Sequence, residues 1–419
     1  GDEAGTALTT GDNNVAVGYA ALKTEDANSG NTAVGYQSLE DLNAGADAYN
    51  TALGYISGTD ITTGVRNTII GAFSGDDLTD ADFNVTLGFG ALGSDTKGSK
   101  TIAIGVDALS AQNFTTSTDS FNVAVGHNAG VAVTTGIYNV LIGGQAGDAI
   151  TDADFNIAVG TNTLSTNVLG SQNVAVGNAA LNAMNPATAT NMYNTAVGAS
   201  AGLAVTTGLV NTLVGGLSGD AITTGNDNTA FGYNSLTGNT ASNRNTAIGS
   251  QALATFNVTT DTHTYNTAVG YNAGGAVTTG IRNTIIGGLA GDALTASNDN
   301  TVFGYLALSA QTDGASQNTA IGFKAGTANT SGGGLTAIGR QAAEANTTGA
   351  ENTVLGSLAL QNNTVGNKSV AIGRLALQDQ NYGTSTDAYN VAVGFEAGKE
   401  VTTGTQNTFI GGLAGDATV

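Results

Sequence analysis

The chain has 419 residues with 62 Gly, one Pro, no Cys and no Trp, and its 32 acidic against 11 basic residues leave a net charge of −21. A surface this acidic excludes nucleic-acid binding by phosphate neutralisation and is repelled by anionic lipid, while the missing cysteine excludes a disulfide framework and thiolate metal sites. No apolar run approaches the length of a membrane helix, so no membrane insertion is expected of this segment, and so much glycine beside so many β-branched residues disfavours helix.

The first residues already belong to a pattern. Ala4-Gly5-Thr6-Ala7-Leu8-Thr9-Thr10-Gly11 matches Ala129-Gly130-Val131-Ala132-Val133-Thr134-Thr135-Gly136, which sets Gly1 where a repeat glycine stands. The chain is therefore expected to start inside a rung and, after Gly411, to stop inside one, as an excerpt of a longer protein does. The repeat itself is first complete at Asn14-Val15-Ala16-Val17-Gly18, then at Asn31-Thr32-Ala33-Val34-Gly35, and it recurs 23 times. Sixteen of the 22 intervals between its glycines are 17 residues, four are 21, and the other two are 19 and 18. A period this short, sustained through residues 1–419, predicts one repeat domain folded as a parallel β-solenoid, or β-roll, of about 23 rungs.

Each position of the repeat follows its own rule. The first is Asn in 20 of 23 copies, the second is Thr, Val or Ile in all, the third is Ala in 15, and the fourth is Val, Ile, Leu or Phe in all. β-Branched residues suit a strand, and alternate side chains along a strand share a face. The second and fourth columns are expected to line the inside of the coil, with the third column facing out. Because that outward column is also apolar, a partner chain is expected to cover it. After each glycine a second short strand is expected, of the form seen at Gly35-Tyr36-Gln37-Ser38-Leu39 or Gly126-His127-Asn128-Ala129-Gly130, followed by a Thr/Gly/Asn turn. Stacked at the spacing of paired strands, such rungs make a rod on the order of 105 Å long.

Four rungs make a longer unit. Asn50, Asn122, Asn194 and Asn266 lie 72 residues apart, and each precedes a rung with a large residue in the Ala column: Ile69, Leu141, Leu213 and Ile285, with Asn390 and Phe409 repeating the relation. These large residues are expected to be knobs between chains. The four 21-residue intervals place an inserted loop before Asn122, Asn194, Asn266 and Asn390. Each loop has an Asn nine residues earlier: Asn113, Asn185, Asn257 and Asn381.

Ser369-Val370-Ala371-Ile372-Gly373, Asn13-Asn14-Val15-Ala16-Val17-Gly18 and Gly35-Tyr36-Gln37-Ser38 resemble the head repeats of YadA-type trimeric autotransporter adhesins. Bacteriophage tail-fibre proteins carry a similar repeat. The resemblance spans the whole chain and implies a left-handed β-roll wound as a homotrimer. It implies an extracellular place, on a virion tail fibre or a bacterial surface, and a task of attachment to a host receptor or glycan, with no catalysis and no cofactor.

Candidate binding residues follow from the loops, since long loops on a rigid frame collect recognition residues. They are Asn113, Phe114, Asn185, Phe256, Asn257, Asn381 and Tyr382, the aromatic members as sugar-stacking contacts. Asn113-Phe114-Thr115 and Asn257-Val258-Thr259 also read as glycosylation sequons, which Pro186 prevents at Asn185. The Asn column is expected to be structural. Asp76, Asp148, Asp220, Asp292 and Asp416 follow the large-residue rungs, and a metal-binding reading makes them a calcium ladder. A repeat of this kind also suits a polysaccharide-cleaving tailspike with a carboxylate pair, or a Thr-lined ice-binding solenoid. Every acidic cluster recurs with the scaffold, and His127 and His263 occupy different rung positions, so no enzyme is expected.

Overall fold

A computed structural model of the chain describes residues 1–312, 314 and 316–416; Ala417–Val419, the end of the expected last rung, lie outside the described residues. The chain divides into two compact units, Gly1–Val210 and Asn211–Val419. Each is a parallel β-solenoid, and no helix forms among the described residues. The first unit carries eleven repeat strands, from Val15–Val17 to Thr195–Val197, and the second carries twelve, from Thr212–Val214 to Thr408–Ile410. Every such strand is the three residues before a repeat glycine, as the β-branched column predicts.

Neighbouring strands pair parallel and column to column. Thr32 stands beside Thr51, Ala33 beside Ala52 and Val34 beside Leu53, and the insertion before Asn122 leaves Ala103 beside Ala124. Register is fixed by two devices. At the repeat glycine the backbone turns so tightly that a side chain on Gly35 would overlap the carbonyl of Gly54. At the other end of the strand, the Asn50 side chain accepts the backbone N–H of Asn67 at 2.8 Å and donates to the carbonyl of Gly64 at 2.8 Å. The Asn column is thus a ladder that joins consecutive turns and closes the corner 14 residues on. The left-handed residue belongs to the position before it, as at Tyr49 and Phe121.

The alternation of faces is as expected, but its phase is reversed. From Ala33 to Ala392 the third column is buried in every strand, whereas the second and fourth columns are nowhere buried. A 17-residue turn closes around a narrow interior, and Ala is the residue that fits there; the β-branched and larger columns stand outside. The large residues of the Ala column are therefore core residues and not knobs between chains. Ile69, Leu141, Leu213 and Ile285 are fully buried. Room for them comes from the fourth position after the repeat glycine, which is Leu on most Ala turns and Gly beside a large residue. A β-carbon on Gly58 would stand 2.9 Å from Ile69 Cδ1, and one on Gly274 the same distance from Ile285 Cδ1.

The segment after each glycine is not the second strand expected. It is a run of turns with left-handed residues at its second and fourth positions, such as Gln37 and Leu39. It still bonds to the adjacent turn, with the Leu39 N–H donating to the Ser57 carbonyl at 3.1 Å. The added strands lie elsewhere. In three of the four insertions a two-residue strand pairs with the preceding turn: Thr118–Asp119 with Gly98–Ser99, Thr190–Asn191 with Gly170–Ser171, and Thr386–Asp387 with Gly366–Asn367. The fourth makes the single bridge Asn243 to His263.

Candidate functional site

In each unit the outer face of the repeat sheet presents an apolar surface. Its two outward columns are Thr/Val/Ile and Val/Ile/Leu/Phe, and the second of these is apolar on every turn. Leu53 is 49% exposed and Phe231 56%. The sheet is flanked by aromatic columns, one following the glycine and one preceding the Asn. Tyr19, Tyr36 and Tyr55 stack at 5.2 and 5.1 Å between ring centroids, and Phe121, Tyr138 and Phe155 at 5.4 and 4.9 Å. Rings stacked on each other along the ladder turn their edges outward, so they form an apolar rim, not a row of open faces. Basic residues clasp the second rim: Lys100 lies over Phe121 and pairs with Asp119, and Lys368 lies over Tyr389 and pairs with Asp387 at 2.7 Å.

The aromatic loop candidates are folded into the insertions instead of standing out from them. Phe114, Phe256 and Tyr382 are 6, 0 and 7% exposed. Phe114 and Tyr382 fold inward over Gly98 and Gly366, where β-carbons would stand 2.8 and 2.7 Å from their rings. The Tyr382 hydroxyl donates to the Gly404 carbonyl at 2.7 Å and accepts from Asn390 Nδ2 at 3.2 Å. In the second insertion Met184 and Met192 fill the equivalent space over Gly170. The glycine on the preceding turn was the signal for these plugs. Phe256 sits two positions earlier, in the corner column shared with Gln112, Met184 and Gln380, all buried.

The asparagines of the insertions do reach the surface. Asn113, Asn185 and Asn381 are exposed and Asn257 is half-buried. The side-chain oxygens of Asn113, Asn257 and Asn381 accept from Thr96, Thr240 and Thr364 of the preceding turn at 3.1, 2.9 and 2.6 Å. Their role in holding the loop is thus plain, and each sits apart from the others on its own insertion.

The Asp ladder is dispersed. Among the described residues no group of three or more His, Cys, Asp or Glu is placed to hold a metal ion. Asp220 accepts the Thr237 hydroxyl, and the Asp416 N–H donates to the Leu413 carbonyl at 3.4 Å. Burial raises the carboxyl groups of Asp148 and Asp292, each of which has an Oδ1 buried without a donor among the described residues. Asp76 is pushed up to about 6, chiefly by burial, with Asp77 and Asp60 adding repulsion. A fully buried carboxylate outside the ladder, Asp95, accepts the N–H groups of Gly98 and Phe114 at 3.0 and 3.1 Å and Gln112 Nε2 at 2.7 Å.

No family model matches the chain, and no curated protein matches it.

Proposed function

We propose that the chain is the structural shaft of a homotrimeric extracellular fibre, of the tail-fibre or surface-adhesin kind, that holds an attachment function away from its base. The observation that carries this reading is the outward column of Val, Ile, Leu and Phe, unbroken over all 23 turns and nowhere buried. A lone chain gains nothing from an apolar stripe of that length, and exposed patches of this kind mark surfaces that other chains cover. Identical copies provide the matching stripe at every level, and closed symmetry limits the assembly to a few chains. The inside of the coil is already filled by the Ala column, so covering the sheet needs no rearrangement of a turn. The resemblance to trimeric adhesin heads and tail fibres supports three copies and left-handed winding. Attachment to a host receptor or glycan, and extracellular placement, rest on that resemblance together with the acidic surface. Light scattering on the full chain is the test. A mass three times that of the 41.2 kDa chain is expected, and a folded monomer sinks the reading.

A further inference from the structure

The aromatic column that follows the repeat glycine changes character in the second unit. In the first unit Tyr19, Tyr36 and Tyr55 occupy consecutive turns and stack on each other. After Gly232, Gly249 and Gly270 the column alternates instead, as Tyr233, Ser250 and Tyr271. These three turns are consecutive, since Thr229 pairs with Thr246 and Thr246 with Thr267. The two rings therefore stand two turns apart, about 10 Å along the stack at the usual strand spacing. They are 55 and 58% exposed. A gap of the same kind in the first unit shows what fits there. Tyr55 and Phe89 are also two turns apart, with the small residue Ala72 between them. The ring of Phe73 fills that space, 5.4 Å from Tyr55 and 5.7 Å from Phe89 between centroids. The residue matching Phe73 in the second unit is Gln251, in the same left-handed backbone. The gap between Tyr233 and Tyr271 is thus the size of a ring, and among the described residues no ring of this chain enters it.

We propose that this gap binds one pyranose ring of a neutral glycan. The site rests on the attachment reading above and gives that task a place on the shaft. A pyranose has two apolar faces and an edge of hydroxyls. Its faces match the two tyrosine rings, which offer a large apolar body with a polar tip. Its edge meets Ser250 and Gln251, both half-buried, whose side chains donate to and accept from hydroxyls. An aromatic side chain in the gap would cover these polar groups without pairing them, at a cost; where an aromatic ring does fill the gap, the small residue is Ala72. Charge plays no part in the site. Residues 231–235, 248–252 and 269–273 hold no acid and no base, and the net charge of −21 disfavours an acidic sugar.

The test is calorimetric titration of the full chain with cellohexaose, maltohexaose and chitohexaose, with hexagalacturonate as the acidic control and p-cresol as a bare aromatic ring. Saturable binding of at least one neutral oligosaccharide is expected, and of neither control. Tyr271→Ala should weaken that binding at least tenfold. Gln251→Phe copies Phe73 and should close the gap, abolishing binding with no loss in melting temperature. Tyr36→Ala, in the stacked ladder, should leave binding unchanged. Melting curves verify that each variant is folded. Undiminished binding in Gln251→Phe, tighter binding of either control, or no saturable binding of any neutral oligosaccharide overturns the proposal. Light scattering keeps the two readings apart: a trimer that binds no sugar loses this site alone, and a monomer that binds sugar loses the fibre alone.

Discussion

Leu141 lies directly against Gly147, so closely that a β-carbon on that glycine would stand 2.8 Å from Leu141 Cδ2. The two positions share one space. On the next turn, where the Ala column keeps Ala158, the position matching Gly147 is a leucine, Leu164, in the same left-handed backbone. Leu141→Ala should cost about 2–5 kcal/mol, the range for emptying a buried leucine site. Gly147→Leu alone overfills it. The double variant Leu141→Ala, Gly147→Leu restores the arrangement of the Ala158 turn and should recover most of the loss. Chemical denaturation of the four proteins gives the coupling; strict additivity contradicts the shared space.

The reversed phase of the sheet changes what a charge does on each face. Leu213 is fully buried, and Leu213→Asp buries a carboxylate without a partner inside a single chain, at a cost of several kcal/mol. Val214→Asp, Phe231→Asp and Ile248→Asp together put three charges on consecutive turns of the outer face. That triple variant should keep its circular-dichroism spectrum and lose its assembly by light scattering. A triple variant that unfolds, or that assembles as the wild type does, contradicts the outer face as the contact between copies.

Period, strand position and column-to-column register are legible in the sequence, because the repeat glycine and the Asn each do one backbone task on every turn. The phase is not, because both faces of the strand are apolar and alternation alone cannot tell them apart. Size was the available signal. A column held to alanine in 15 of 23 copies marks the confined side, and the Leu-to-Gly change at the position of Gly147 marks what shares its space. The insertions misled for a similar reason: Phe114 stands among polar residues in sequence, and its partner, Gly98, is on the turn before.

Asp95 stands where Asn363 stands in a later turn. There the same set recurs with an amide: Asn363 accepts the Gly366 N–H at 3.1 Å, and Gln380 accepts from Asn390 at 2.8 Å, as Gln112 does from Asn122. Asp95→Asn should therefore keep the Gly98 and Phe114 N–H groups on its Oδ1 and turn its amide to the Gly98 carbonyl, as Asn363 donates to that of Gly366 at 2.9 Å, while Gln112 Nε2 gives up Oδ2 and keeps its bond to Thr101. It removes a buried charge that no basic residue offsets, so a gain of about 1 kcal/mol at pH 7 is expected. Burial raises the Asp95 carboxyl, so the folded chain holds its proton more tightly than the unfolded one. The wild type then recovers the difference as the pH falls, and the advantage of the variant should shrink. A variant less stable than wild type at pH 7 counts against this account.

Asp76 gives a second pH effect with the same sign. Its folded value of about 6 lies above the 3.8 of the free side chain. Protons are taken up on folding between these values, so stability should rise as the pH falls from 7 toward 5. Below about 4 the trend should turn, because Asp299 and Asp387, held low by hydrogen bonds from Arg282 and Lys368, lose those partners when protonated. Melting temperatures across pH 3–8 should pass through a maximum on the acid side of neutrality. Asp76→Asn should flatten the rise between pH 7 and 5; an unchanged slope assigns it to the net charge of −21 or to other acids.

The insertions separate packing from recognition. Phe256 is fully buried, so Phe256→Ala should cost about 3–5 kcal/mol. Tyr382→Phe removes one hydroxyl that bonds the Gly404 carbonyl and Asn390, for about 0.5–1.5 kcal/mol. Neither ring reaches solvent enough to stack on a sugar, so glycan or host-cell binding per folded molecule should be the same in both variants as in the wild type. The asparagines make the opposite pair. Asn113→Ala and Asn381→Ala remove exposed amides whose oxygens hold Thr96 and Thr364, and any loop-borne attachment should fall with these changes while melting shifts little. Binding lost with Phe256→Ala at a temperature where the protein is still folded would return the aromatic residues to the binding surface.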